Sequence, residues 1–207
     1  VKVESCENMG INVERSPTPS SDGYERFGLI ESCVAVNNTR SGIYFDGCYG
    51  IAIIVCHAKS NGRYGFETGG VARGIIIGCK TFQNTNYGFY INNARDTTIT
   101  ACVARGDSTG FYLRTLSGRR NACVGCTTEI NDNYGIELVG DRWTVSACSM
   151  ANNGVAGIRI TGTHNVIIGT VCHTDDGSQD YGIQIVGGKN NQIIGCVCET
   201  NINAGIF

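Results

Sequence analysis

Two acidic side chains, Asp46 and Glu67, lie in repeated segments that are otherwise rich in apolar and aromatic residues, and they are the first candidates for chemistry. Most glycoside hydrolases use two carboxyl groups that lie about 5 to 9.5 Å apart. Asp46 and Glu67 would form a diagonal pair on neighbouring strands, at roughly 6 to 8 Å. Glu67 and Glu137 would be three repeats apart, about 14 Å, which is too far. Asp46 and Glu67 are therefore the predicted catalytic acid/base pair of a polysaccharide hydrolase or lyase.

Tyrosines are crowded along the same segments as Glu67. Seven of the nine tyrosines lie in, or just before, a tetrapeptide of the form Gly-[Ile/Phe]-x-[hydrophobic or Thr]. A tyrosine ring offers an apolar face to a sugar and a hydroxyl group to its polar rim. The alternative is that these tyrosines favour an exposed strand and stack on one another without a ligand. The residues predicted to bind substrate are Tyr44, Tyr64, Tyr87, Tyr90, Tyr112, Arg114, Glu137 and Arg159.

Metal ligands are sparse in the sequence. Asp175, Asp176 and Asp180 form a carboxylate-rich segment that could hold Ca²⁺, although Asp175 also belongs to a column of corner residues described below. The three histidines lie at unrelated positions along the chain. Apart from this possible calcium ion, the sequence predicts no cofactor.

The chain has twelve cysteines in 207 residues, and these could form disulfides, bind a metal ion or remain buried free thiols. Zinc sites use close pairs such as Cys-x2-Cys, and Cys123/Cys126 is the only pair with that spacing. Most of the other cysteines recur once per repeat, so their side chains would point the same way in neighbouring repeats. We predict a ladder of free, buried thiols that act as small hydrophobic side chains, with some disulfides as the alternative.

An internal repeat must position all of these residues. The tetrapeptide glycines recur 22 to 25 residues apart, from Gly42 to Gly205, and a second column in phase with them is Cys in seven of eight repeats, with Thr170 as the exception. A third column lies five residues after the second and is always Asn or Asp. Because both residues tolerate a left-handed backbone and bond their own main chain, this column predicts a corner. Its members are Asn38, Asn61, Asn84, Asp107, Asn131, Asn153, Asp175 and Asn201.

Each repeat contains three short strands separated by corners. The segment Ile43-Tyr44-Phe45 alternates in, out, in, and further apolar columns flank the cysteine column. No segment shows the apolar periodicity of a helix. Such a unit cannot bury its own apolar side, but stacked units can if each strand pairs in parallel with its equivalent one coil away. The sequence therefore predicts an all-β parallel solenoid of about eight coils of about 23 residues; leucine is too scarce for a leucine-rich repeat.

The residue pattern of the repeat resembles that of a known group of proteins. The segment Asn191-Gln192-Ile193-Ile194-Gly195-Cys196 is similar to the right-handed parallel β-helix repeats of the pectate-lyase-like superfamily. That superfamily includes pectin-degrading enzymes, alginate epimerases, phage tailspikes and NosD-type periplasmic proteins. The resemblance covers about residues 27–207 and implies a right-handed single-stranded β-helix. It predicts little about function, because this scaffold carries many unrelated sites. The motifs Gly-His-Gly, Asp-Pro-His-Glu and Arg-Ile-Lys, which mark the enzymes of the group, do not occur.

The sequence predicts one β-helix domain over residues 1–207. It is expected to be a fragment of a longer chain, because it begins at Val1 without a methionine or a signal-like apolar stretch. Gly10 lies 32 residues before Gly42, and both prolines fall in the extra length. Residues 14–26 are therefore predicted to form an inserted loop.

Composition argues against two classes of partner. A formal net charge of −2 with only 16 Lys and Arg argues against nucleic acid. No apolar run approaches the ~18 residues that cross a bilayer as a helix, so membrane insertion is not expected. The localisation of the protein does not follow from the sequence. Free thiols fit folding in a reducing compartment, whereas glycan binding would fit an extracellular or virion-surface location.

The function predicted from the sequence is a polysaccharide-engaging β-helix module that binds through the outer face of the Gly-Ile-x-Ile strands. It could be a glycan-degrading enzyme or a tailspike-like adhesin. A homo-oligomer is possible, and resemblance to the tailspikes implies a trimer. The alternative is a purely structural solenoid whose loops or missing domains act elsewhere.

Overall fold

The computed structural model of the chain describes residues 1–14, 28–115 and 120–207. These residues form 29 strands and no helix, so they include no helical segment able to cross a membrane. All strand pairs are parallel and join equivalent segments of successive repeats. The predicted all-β parallel solenoid is confirmed. Apart from Glu14, the predicted inserted loop at residues 14–26 lies outside the described residues.

Sheet 1 contains the Gly-Ile-x-Ile segments. Alternate residues of its strands point inward, and Phe66, Phe89 and Phe111 stack along the axis at ring-centroid distances of 4.8 and 4.5 Å. These distances match the strand spacing, so each ring packs on its equivalent one coil away. In stacking order, the strands of sheet 1 are β2 (Ile11–Glu14), β5 (Ile43–Asp46), β9 (Phe66–Thr68), β13 (Tyr87–Ile91), β17 (Thr109–Leu113), β20 (Tyr134–Leu138), β23 (Ala156–Ile160), β26 (Tyr181–Ile185) and β29 (Ala204–Ile206).

Sheet 2 contains the apolar column that precedes the cysteines. Its central residues, such as Ile53, Ile76 and Ile99, are fully buried. Its strands are β3 (Gly28–Glu31), β7 (Ile51–Ile54), β11 (Ile75–Ile77), β15 (Thr98–Thr100), β18 (Asn121–Val124), β21 (Trp143–Ser146), β24 (Val166–Ile168) and β27 (Gln192–Ile194).

Sheet 3 follows the cysteine column and ends at the asparagine corner. Its strands are β1 (Lys2–Glu4), β4 (Val34–Val36), β8 (His57–Lys59), β12 (Lys80–Phe82), β16 (Val103–Arg105), β19 (Thr127–Glu129), β22 (Ser149–Ala151), β25 (Val171–His173) and β28 (Val197–Glu199). A small sheet 4 lies between sheets 1 and 2 in three coils and contains β6 (Cys48–Tyr49), β10 (Val71–Ala72) and β14 (Ala94–Arg95).

The corner between sheets 2 and 3 explains the thiol column. The residue before each cysteine of the column has a left-handed backbone, as at Ala101 with φ 51°, and glycine fits this conformation best. The buried Cys56 thiol lies 3.4 Å from the Ile54 carbonyl oxygen, to which it donates a weak hydrogen bond. Where the column changes to Thr170, the hydroxyl donates in the same way to Ile168 at 3.3 Å. These side chains therefore bond the carbonyl groups of the corner as well as filling space.

The Asn/Asp corner differs from its predicted conformation. The left-handed residue is the one before the column, as at Gln83 with φ 54°, and the column side chains point into the core. The Asn61 Oδ1 accepts hydrogen bonds from the main-chain nitrogen of Asn38 at 3.1 Å and from its side-chain nitrogen at 2.9 Å. Asn61 donates both equivalent bonds to Asn84 at 3.0 and 2.8 Å. The column is a buried hydrogen-bonded ladder that joins successive coils.

The sequence places Asp175 in the Asn/Asp column, but in the structure Asp175 is not part of the ladder, so this prediction is wrong. Asp175 is exposed, and its main-chain nitrogen donates to the Asn152 side chain at 2.8 Å. Gln179, which is fully buried, occupies the ladder position: its Oε1 accepts from Asn153 at 3.3 Å and its Nε2 donates to Asn201 at 2.6 Å. The longer glutamine side chain reaches the core from a loop of greater length, which spacing alone could not reveal.

The glycine that opens each strand of sheet 1 is required by a close approach. At Gly110, a Cβ atom would lie 2.6 Å from the carbonyl oxygen of Gly135 and 3.0 Å from a methyl group of Thr128. Any larger residue would push neighbouring coils apart, so the repeat keeps glycine where sheet 1 begins.

Candidate functional site

The outer face of sheet 1 holds the predicted site in one straight row. Parallel pairing places Tyr44 beside Glu67 and Glu67 beside Tyr90. The row continues from Tyr90 to Tyr112, and then to Glu137, Arg159 and Gln184. The sequence period therefore brings the predicted binding residues together over consecutive coils.

Four of the tyrosines form one cluster, which we call the phenol cluster: Tyr64, Tyr87, Tyr90 and Tyr112. The Tyr90 ring lies between Tyr64, at a centroid distance of 4.6 Å and an angle of 10°, and Tyr112, at 4.9 Å and 14°. Tyr87 packs against all three at 5.1 to 5.5 Å in tilted arrangements. Both faces of Tyr90 are thus covered by neighbouring rings, and a sugar cannot stack on them, contrary to the expectation from the sequence.

Burial changes the acidity of the cluster. Desolvation, followed by the negative charge of Glu137 and by the neighbouring phenols, raises the pKa of Tyr87 to about 12. Burial also raises the pKa of Tyr64 and Tyr112. These phenols consequently stay protonated at neutral pH, where each hydroxyl can donate and accept one hydrogen bond.

An ion pair borders the phenol cluster. The Arg159 Nη1 donates to the Glu137 Oε1 at 2.7 Å, and the side chains are only 27% and 11% exposed. The guanidinium group also lies over the Tyr134 ring, 5.2 Å from its centroid. The Arg159 Nε is buried and has no hydrogen-bond partner within the described chain. The pair is therefore partly buried, and its guanidinium group contacts an aromatic ring as well as the carboxylate.

The predicted acid/base pair has divergent surroundings. Glu67 accepts a short hydrogen bond from Ser41, and one of its oxygens lies 3.7 Å from Arg63, so its carboxylate is held by residues that precede sheet 1 in their coils. Asp46 accepts from the main-chain nitrogen of Gly47 at 2.8 Å, beyond the end of its strand. Nothing in these contacts assigns a catalytic role to either residue, so both roles stay predictions.

Two further predicted residues lie at the margins of the phenol cluster. Burial, followed by the charges of Asp46 and Glu67, raises the pKa of Tyr44, which makes no ring contact within the described chain. Arg114 follows Leu113 at the end of its strand and is half-buried, and its charge opposes the upward shift in the pKa of Tyr112. Tyr44 and Arg114 thus border the cluster without being part of it.

The carboxylates of the predicted calcium segment each have a local partner. Asp176 accepts from the Thr174 hydroxyl and the Ser178 main chain, both at 2.9 Å, and these bonds lower its pKa. Asp180 accepts from Asn203 at 3.2 Å. In the described parts of the chain, no group of three or more His, Cys, Asp or Glu side chains could hold a metal ion. The calcium site therefore stays a prediction without structural support.

The sequence did not predict Ser41 and Arg63 as parts of this surface, and it placed Tyr134 among the crowded tyrosines but not among the substrate-binding residues. The Arg63 guanidinium lies over the Tyr64 ring, 4.6 Å from its centroid, as Arg159 does over Tyr134. The sequence did contain an indication of the role of Arg63, because this residue directly precedes Tyr64 of the cluster. Ser41 gave no signal, because only the coordinates show its hydroxyl reaching Glu67 one coil away.

The comparisons with known proteins agree with this architecture. Residues 1–142 match the family model described as the right handed beta helix region. The chain belongs to this β-helix family. The solved structure of the Siphovirus 9NA tailspike receptor binding domain matches 99% of this chain with a TM-score of 0.60 and 14% sequence identity. The chain spans 45% of the length of that structure, and likeness at this identity shows a shared fold alone. No curated protein matches the chain.

Proposed function

We propose that this β-helix binds a polysaccharide through the outer face of sheet 1, as a tailspike-like module on a virion surface or outside a cell. One observation carries the proposal: the stacked rings of Tyr64, Tyr90 and Tyr112, one in each of three consecutive coils, lie directly beside the partly buried Glu137–Arg159 pair. The shared fold with a tailspike receptor binding domain supports it.

The stacking defines how a glycan would be held. Because Tyr64 and Tyr112 cover the faces of Tyr90, the cluster presents ring edges and hydroxyl groups. Sugar hydroxyls would exchange hydrogen bonds with these phenols and with Glu137 and Arg159. Successive coils repeat such contacts about every 4.8 Å, so an extended chain of sugars could contact several coils at once.

The phenol hydroxyls can be removed without disturbing the stack. We expect the double variant Tyr90→Phe, Tyr112→Phe to lose about tenfold or more in glycan affinity, because two hydrogen bonds each contribute about 0.5–1.5 kcal/mol. Binding would be screened on a glycan array and then measured by calorimetry with the best ligand. Because burial raises the pKa of Tyr87 and of Tyr112, these two phenols stay protonated, and the parent chain should bind equally well between pH 6 and 9.

The matched control is Tyr181→Phe, which removes a hydroxyl from a tyrosine that packs on Phe207, away from the cluster. Its affinity should equal that of the parent chain. If the parent binds no glycan, or if the double variant binds as tightly as the parent, the structural-solenoid alternative replaces this proposal.

Catalysis at Asp46 and Glu67 is a separate question. If the chain cleaves its glycan, Asp46→Asn and Glu67→Gln should each abolish cleavage and leave binding in place. Cleavage that survives both changes would remove the pair from consideration.

Copies of the chain have a surface through which they could associate. The outer face of sheet 2, here called the uncharged face, carries exposed Leu29, Ile75, Ile77, Ile168 and Ile194, and Glu31 is its only charged residue among the described strands. Apolar sheet faces pack on one another about 10 Å apart, and a neutral face is complementary to a second neutral face. We propose that copies pack through this face, as a trimer if the assembly is tailspike-like.

Sedimentation tests this association. The parent chain should form oligomers at micromolar concentration, and the double variant Ile77→Asp, Ile168→Asp should be monomeric, because it would bury four or more unpaired carboxylates per assembly. Ile130→Asp changes an isoleucine that is exposed outside this face and should leave the mass unchanged. A monomeric parent chain would contradict the proposal.

A further inference from the structure

A second surface, on sheet 3, combines cations with an aromatic ring. Strands β8, β12 and β16 place Lys80 beside His57 and place Phe82 between Lys59 and Arg105. These outward side chains line a groove of about 240 Å³. We call it the basic groove. It is separated from the phenol cluster by the buried asparagine corner, so it is a different surface from the one proposed above.

The charge of the basic groove is one-sided. Its lining contains Lys59, Lys80 and Arg105 and no acidic residue. Within the described chain, neither lysine forms an ion pair, whereas Arg105 pairs with Glu129 on the next strand, 3.4 Å from its Nε. The two lysines and Arg105 lie on three consecutive strands, within about 10 Å along the axis. A bound anion would supply a counter-charge to the two lysines.

An aromatic ring lies among the three cations. The Lys59 ammonium group lies over the Phe82 ring, 5.2 Å from its centroid. Phe82 is half-buried, so part of the ring stays open to the groove. The ring offers apolar contact to a ligand whose carboxylate reaches Lys80 or Arg105. Charge and an apolar surface side by side favour a ligand that has both.

We propose that the basic groove binds one acidic sugar unit of a glycan, with its carboxylate between Lys80 and Arg105 and its ring against Phe82. The groove is smaller than the roughly 300–1,000 Å³ of pockets for drug-sized ligands, which fits a single sugar unit. Its cations span three coils, only about 10 Å, in a chain of net charge −2. That footprint is short for the repeated phosphate contacts of a nucleic acid.

The test uses two sugars that differ only in the carboxylate. Methyl glucuronide, methyl glucoside and inorganic sulfate would each be titrated into the ¹⁵N-labelled chain, followed by amide chemical shifts. We expect the glucuronide to shift amides of β8, β12 and β16, and the glucoside to leave them unchanged. Lys80→Gln and Arg105→Gln should each weaken glucuronide binding about tenfold, as loss of a charge-assisted contact does.

Two variants separate a sugar site from adventitious anion binding. Phe82→Leu should weaken glucuronide binding severalfold and leave sulfate binding unchanged, because only the sugar uses the ring. Lys189→Gln, which removes an exposed cation elsewhere, should change neither. Equal binding of sulfate and glucuronide, or a glucuronide affinity unaffected by Phe82→Leu, would overturn the proposal. Tyr90→Phe, Tyr112→Phe leaves this groove intact, so failure at one surface is distinguishable from failure at the other.

Discussion

Asp107→Asn should raise the free energy of unfolding at pH 7 by about 3 kcal/mol, since burial raises the pKa of this carboxyl by about two units and each unit corresponds to 1.36 kcal/mol. Asp107 is the one acid in the buried ladder, where its pKa rises from 3.8 to about 6 despite hydrogen bonds from Thr81 at 2.7 Å and from Asn84 at 2.7 and 2.9 Å. The asparagine amide would add a donor near Asn131, whose Oδ1 accepts from the Asp107 main chain at 3.0 Å and from no other donor among the described residues.

The pH dependence has a definite sign. The folded pKa of Asp107, about 6, lies above its unfolded value near 3.8. The folded chain therefore holds the proton at pH values where the unfolded chain has released it. The stability that this proton provides is complete below pH 3.8 and is lost as the pH rises to about 6. The advantage of Asp107→Asn should consequently grow between pH 4 and 6 and level off above.

Denaturant unfolding at pH 4, 5, 6 and 7 measures this difference. Glu199→Gln is the control, because Glu199 is an exposed carboxylate on sheet 3 several coils from Asp107, and its stability should change by less than about 0.5 kcal/mol. An asparagine variant that is less stable than the parent at pH 7, or that keeps the same pH profile, would show that Asp107 is ionised in the folded ladder without cost.

Phe89→Ala should destabilise the chain by about 3–5 kcal/mol, the range for removing a fully buried phenylalanine. Phe89 is completely inaccessible and stacks on Phe66 and Phe111 at 4.8 and 4.5 Å. Its removal leaves a cavity between two rings that cannot close, because the strand spacing fixes the distance between the coils.

Phe89→Leu provides the comparison, since it retains most of the volume and should cost less than about 1.5 kcal/mol. Both variants would be measured by denaturant unfolding against the parent chain. A loss below 1 kcal/mol for the alanine variant would mean that the coils collapse onto the vacant volume, contrary to a rigid stack.

The period of the sequence was sufficient to predict the stacking and its register. Glycines 22 to 25 residues apart, together with in-out alternation at Ile43-Tyr44-Phe45, placed Tyr90 beside Tyr112 and Glu137 beside Arg159. A parallel solenoid leaves one register that buries every apolar column, because a shift by one residue would expose all of them. The row of candidate binding residues was predictable for the same reason.

Other features depend on side-chain reach and rotamers, which spacing does not encode. The covered faces of Tyr90 follow from the tilt of three rings. The divergence of Asp46 and Glu67 follows from partners at opposite ends of β5, Gly47 after the strand and Ser41 before it. Equal spacing suggested Asp175 for the ladder, but Gln179 occupies it because a longer loop brings a longer side chain to the same point.

The asparagine ladder also bears on how long such a molecule can be. Each buried amide contacts only the coil before and the coil after it, as Asn61 contacts Asn38 and Asn84. Inserting or deleting one whole repeat would therefore recreate the same junctions and change the height of the rod by about 4.8 Å. The length of the solenoid can therefore change by whole coils while the packing of its core stays the same. Each such change would move a binding surface along the axis by one strand spacing.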